Sequence, residues 1–162
     1  MGKHSATRSS TYFSTHVRCL EGLKRSGLIV SETLAVTRLE QGNLRIQGRV
    51  ICRGGFVLTV NKILKASKSQ GVEFVQAVKY SYHLTDSQGK DIFRYDNAHA
   101  HEHLGHQSSY HVHRFDSEGN EFAGSPYEIP DLQDWPTLSE VLGQADCHYW
   151  DQYSLTPPSL EL

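Results

Sequence analysis

Apolar and polar residues alternate with period two from Leu28 through Tyr95, the rhythm of a chain that lays one side of a sheet on a core and turns the other to water. Turn residues interrupt it at Gln41-Gly42-Asn43, Arg53-Gly54-Gly55, Ser67 to Gly71 and Asp86-Ser87-Gln88-Gly89. The segments between these breaks predict an α+β protein built on a twisted antiparallel meander of about five strands. Leu44, Ile46, Gly48 and Val50 alternate with Arg45, Gln47 and Arg49; further on, Phe74, Val78, Tyr80, Tyr82 and Leu84 share one face while Lys79, Ser81 and His83 share the other. With matching registers, Arg45, Arg49, Lys79 and His83 line one surface, readable as a plain solvated sheet face or as a floor for phosphates.

One or two short helices should pack on this sheet. Ser14 to Ser26 carries Val17, Leu20 and Leu23 on one side, with Ser14 or Thr15 as N-cap and Gly27 as the terminating glycine. Thr137 and Glu140 have capping-box spacing ahead of Val141 and Leu142, with Leu138 between them. Residues 1–14 read as a flexible leader, 15–153 as a single domain and 154–162, with Pro157-Pro158, as an extended tail. No internal repeat is apparent.

Past Asn97 the alternation fades into a loop, with Tyr110 to Phe115 readable as a short strand, and six of the ten histidines, His99, His101, His103, His106, His111 and His113, crowd into this stretch. A packed core has no use for that density of groups that titrate near neutrality, exchange protons and bind transition metals. The three cysteines, Cys19, Cys52 and Cys147, lack C-x-x-C spacing and indicate neither a disulfide framework nor a thiolate zinc site. No apolar run approaches a membrane span and no signal segment opens the chain, so a soluble cytoplasmic protein is expected. A net charge of −2 offers polyanions no global attraction, leaving nucleic-acid binding to a local basic face.

Lys79-Tyr80-Ser81-Tyr82-His83, the Asp86-x-x-Gly89 turn, Ile92-Phe93-Arg94-Tyr95-Asp96-Asn97-Ala98, the histidine cluster ending in His111-Val112-His113, and Pro136-Thr137-Leu138-Ser139-Glu140-Val141-Leu142 together resemble the TumE family of bacterial toxin–antitoxin toxins. His99 stands after Ala98 where the pattern often has Pro, and Tyr110 stands where it has a further His. The resemblance implies a growth-impairing protein with an antitoxin partner encoded nearby, and a homodimer is compatible with it. The motif does not state the molecular target.

The side chains themselves suit RNA. Metal-independent cleavage needs a base, an acid and a cation that stabilises the crowded phosphorane. His111 and His113, two apart on a strand, form the leading acid/base pair, with His99 and His101 as a second pair and Arg94 as phosphate clamp. Asp96 is a candidate for fixing a histidine tautomer. Tyr82 and Tyr95 are candidates for stacking on bases, or simply for packing the sheet. No cofactor is required. Two alternatives stay open: a non-enzymatic RNA- or protein-binding module, and a divalent transition metal held by His99, His101, His103, His111 and His113.

Overall fold

The computed structural model describes residues 2–97 and 110–154. These form an α+β fold of one antiparallel sheet and two helices. The nine strands are β1 (Thr7–Arg8), β2 (Ile29–Glu32), β3 (Ala35–Arg38), β4 (Leu44–Cys52), β5 (Val57–Ser69), β6 (Val72–Thr85), β7 (Asp91–Asp96), β8 (His111–Arg114) and β9 (Tyr127–Glu128). The helices are α1 (Ser9–Arg25) and α2 (Leu138–Ser154). The strand order is β2-β4-β5-β6-β7-β8-β9, with β1 added to β6 and β3 to β4.

The meander is thus present but longer than five strands, for three local reasons. The stretch read as one strand from Leu28 breaks at Thr33-Leu34 into β2 and β3, which both pair with β4. That break lies on Gly48, where φ is 153° and a Cβ would stand 2.4 Å from the Thr33 carbonyl oxygen. A side chain has no room there. Beyond Asn97, β8, within the short strand readable at Tyr110 to Phe115, and β9, too short to show a period, extend the sheet.

At the other end, Thr7 and Arg8 pair with Val75 and Phe74, and the helix starts at Ser9, five residues earlier than its sequence pattern suggested. The inward stripe of α1 begins with Tyr12 and Phe13, aromatic residues that the Ser/Thr-rich surroundings hide, and continues through His16, Cys19, Leu20 and Leu23. Val17 points outward and is 49 % exposed. The helix ends as expected at Gly27, with φ 77°, the Leu28 amide on the Leu23 carbonyl and the Gly27 amide on that of Lys24. The capping box of α2 also forms: Glu140 Oε2 accepts the Thr137 amide at 2.7 Å, and Thr137 Oγ1 accepts that of Glu140 at 3.3 Å.

Both helices cover the same side of the sheet. The core there joins Val50, Leu58, Val60, Tyr80, Tyr82, Leu84, Phe93 and Tyr95 to Trp135, Val141 and Leu142. Trp135 is fully buried, with the rings of Tyr80, Tyr95 and Tyr110 packed around it at 5.4 to 5.7 Å. Two irregularities set which residues face it. Ile63 pairs with Lys79 but Leu64 with Ala77, so Val78 is an extra residue; Val75 and Ala77 therefore turn to the core in place of the expected Phe74 and Val78. Likewise Leu84 pairs with Phe93 but Thr85 with Asp91, making Ile92 the extra residue of β7.

Candidate active site

The sheet face away from the helices carries the polar groups. Strand register lays Arg49, Thr59, His83, Arg94 and His113 in one row across β4 to β8, and a second row runs Gln47, Asn61, Ser81, Asp96, His111 and Glu128. Arg45 and Lys79 flank Ile63 further along. The four residues Arg45, Arg49, Lys79 and His83 therefore do share a face, and Arg94 and His113 join them. Among the described residues Arg45, Arg49, Lys79 and Arg94 make no ion pair, although the charge of Arg94 reaches Glu121.

Arg94 is flanked by His83 on one neighbouring strand and His113 on the other. Each imidazole is tied to a carboxylate. His83 Nε2 lies 2.6 Å from Asp91 Oδ1, and His113 Nδ1 lies 2.6 Å from Glu121 Oε1. Since an ionised carboxylate only accepts, the bonded ring nitrogen carries the proton, and the other nitrogen of the neutral ring, Nδ1 in His83 and Nε2 in His113, keeps its lone pair. Burial alone pushes the Glu121 carboxyl up, but hydrogen bonds from Ser125 and His113 and the charges of His113 and Arg94 outweigh it and hold it below the ordinary range.

The two dyads are built alike. His83-Leu84-Thr85-Asp86-Ser87-Gln88-Gly89-Lys90-Asp91 and His113-Arg114-Phe115-Asp116-Ser117-Glu118-Gly119-Asn120-Glu121 share the pattern His-x-x-Asp-Ser-x-Gly-x-acid. In each, the Asp side chain accepts the amides two and four residues on, at 2.8 to 2.9 Å, and the Gly sits at positive φ, 79° and 84°. The turn brings residue 91 opposite Thr85 and residue 121 opposite Phe115, two residues past each histidine and on its face. At Asp91 the extra Ile92 is what makes this possible, because uninterrupted alternation would turn Asp91 inward with Phe93 and Tyr95. The chain therefore does contain an internal repeat, of nine residues, too short and too diluted by variable positions to stand out from its surroundings. Asp91 and Glu121 are the site residues that sequence reading missed, and this repeat was the signal that would have found them.

Other candidates fall elsewhere. His111 is fully buried and meets the His113 ring edge-on, with centroids 5.0 Å apart, while its strand partner is Asp96. Tyr82 and Tyr95 face the core at 0 % and 5 % exposure, so the packing reading holds for them, and the Tyr95 hydroxyl donates to Gln144. His113 Nε2 and Arg94 Nε are shielded from water and have no hydrogen-bond partner among the described residues, as is also true of Tyr82 Oη and Trp135 Nε1 in the core. His99, His101, His103 and His106 lie outside the described residues. Among those described, no three His, Cys, Asp or Glu side chains converge as a metal would need, and no helix is long and apolar enough to cross a membrane.

The family model for Toxin TumE matches residues 20–143, which span both dyads, Arg94 and the start of α2. No curated protein and no solved structure matches the chain. The match covers most of the sequence, and the chain belongs to the TumE family, toxins of toxin–antitoxin pairs whose membership implies a cognate antitoxin partner.

Proposed function

We propose that this toxin acts on RNA as a metal-independent endoribonuclease, with His83 and His113 as the acid/base pair and Arg94 between them as the phosphate clamp. The observation that carries the reading is the row His83, Arg94, His113 with a carboxylate on each imidazole. Strands lie ~4.8 Å apart, so the two histidines stand about 10 Å apart at their backbones, with room for one phosphodiester over Arg94. One imidazole, neutral, takes the ribose 2′-hydroxyl proton on its free nitrogen, the 2′-oxygen attacks phosphorus, and the other, entering the cycle as imidazolium, gives its proton to the departing 5′-oxygen. The products are a 2′,3′-cyclic phosphate and a 5′-hydroxyl. Arg94 stabilises the charge that builds on the equatorial oxygens. Arg45, Arg49 and Lys79 hold neighbouring phosphates along the same face. His113 is retained from the pair first singled out; His111, buried beside it, acts as its packing partner.

Incubation of the purified chain with RNA tests this directly. Fragments ending in cyclic phosphate, formed equally well with EDTA present, support the reading. RNA that shifts in mobility and stays intact supports instead a binding protein that uses Arg45, Arg49 and Lys79 alone, and cleavage abolished by EDTA returns the metal alternative.

A further inference from the structure

On the opposite side of the sheet, Lys62 occupies an inward-facing position of β5 between Val60 and Leu64, both fully buried. It is itself only 7 % exposed. Its strand neighbours are Ile46 and Tyr80, and its ammonium lies 2.7 Å from the Tyr12 hydroxyl and 5.4 Å from the ring centres of Tyr12 and Tyr80. It has no ion pair among the described residues. Removing an ammonium from water costs several kcal/mol unless a counter-charge meets it, and a phenol oxygen with two ring faces supplies only part of that.

Lys62 lines a cavity of 510 Å³ enclosed by α1, the N-terminal segment, β5, β6 and the start of α2, a volume within the usual range for small-molecule sites. Exposed Thr11, Thr15 and Ser139 lie at its rim, and Val75, Ala77 and Leu138 form apolar wall. Its lining carries the cations Lys3 and Lys62, hydroxyls of Ser, Thr and Tyr that can donate, and, among the described residues, no carboxylate. Tyr12 accepts from Lys62, which frees its own hydroxyl proton to point at a guest. His16 is half-buried, and burial followed by the charge of Lys62 lowers its pKa. His4 is fixed between the Trp135 carbonyl and the Tyr80 hydroxyl. The nearby carboxylate, Glu140, is already occupied by Lys3 and the Thr137 amide.

We propose that this cavity binds a small organic carboxylate with an apolar body, its head on Lys62 and the Tyr12 hydroxyl and its body along Val75, Ala77 and Leu138. A single negative charge matches one ammonium and one phenol, and the apolar wall suits an alkyl or aryl chain. The site is separated by the sheet from the His83–Arg94–His113 row, and its occupancy does not depend on whether that row cleaves RNA.

Calorimetric titration of the full chain with hexanoate, octanoate, decanoate and 4-phenylbutyrate, each set against its own alcohol, tests the assignment alongside Lys62→Met, which keeps length and removes charge. At least one carboxylate should bind the native chain ten-fold or more tightly than its alcohol. Lys62→Met, its folding verified by its unfolding transition, should lose that preference while binding the alcohol as well as before. No preference for any carboxylate over its alcohol, or a preference that survives in Lys62→Met, overturns the proposal.

Discussion

The two faces of the sheet treat their titratable groups in opposite ways. On the open face each histidine of the central row has a carboxylate at 2.6 Å. On the helix-covered face His4 and Lys62 have carbonyl or hydroxyl partners, none of His4, His16 and Lys62 makes an ion pair among the described residues, and burial lowers the pKa of all three, that of Lys62 to about 8. The lesson concerns protonation. A carboxylate beside an imidazole fixes its tautomer and so the direction of its free nitrogen, whereas burial without a counter-charge favours the neutral form and leaves any remaining charge seeking an anion.

The sharpest way to break the comparison is to remove the central row. His113→Ala or His83→Ala should each lower RNA cleavage on the order of 10²–10⁴-fold, the usual worth of a positioned proton transfer, and abolish growth inhibition on expression without antitoxin. Lys62→Met, on the other face, should leave cleavage unchanged; equal losses from both faces would refute the division of labour.

Next in size is the stability held back by Lys62. Its pKa falls from 10.5 in the unfolded chain to about 8 in the fold, so below pH 8 both states are protonated and the folded state carries the full penalty. Between pH 8 and 10.5 the unfolded chain binds more protons, and stability rises with pH. The span corresponds to about 3 kcal/mol at neutral pH. Urea unfolding should show Lys62→Met more stable than the native chain at pH 7 by about that amount, with the gap narrowing as pH climbs. The difference between the two chains isolates the effect from Tyr12, Tyr80 and Tyr82, whose raised pKa values act in the other direction at high pH.

Smaller effects refine the picture. Asp91→Asn and Glu121→Gln keep shape but loosen the hold on the ring, and each should reduce the turnover rate about tenfold, ~1.4 kcal/mol, with little change in RNA affinity. An affinity loss instead would make them binding groups. Smallest is Thr137→Ala, which removes one half of the α2 capping box, should cost about 1 kcal/mol in thermal unfolding and should leave cleavage untouched.

What the sequence disclosed follows the same division. The meander, the polar face with Arg45, Arg49, Lys79 and His83, the Gly27 terminus and the Thr137–Glu140 cap all follow from periodicity and local chemistry, which act between near neighbours. The histidine-rich stretch leads to Arg94 and His113, which the register does place side by side. His83 reads from sequence only as part of the polar face, because its place next to Arg94 depends on pairing with another strand. Alternation alone hides Asp91 for a physical reason, and only the nine-residue repeat points to it: a bulge reverses the inward and outward sense of everything before it, and no residue type at Ile92 announces one. Lys62 falls in phase with Leu58, Val60 and Leu64 on the inward face, but alternation does not show that Tyr12 and a cavity meet it there.

The nine-residue unit used twice makes separation along the chain as decisive as identity. Each ring meets its acid at an interval of eight, set by a tight turn and, in the first copy, by one supernumerary residue. A relative one residue shorter between Gly89 and Arg94 would keep every recognisable letter of the motif and yet swing its acid into the hydrocarbon interior. Alignments of these toxins that slide a gap freely through the hairpin would therefore pair chains that keep the imidazole–carboxylate contact with chains that lose it, and counting positions there is the better guide to which homologues retain it.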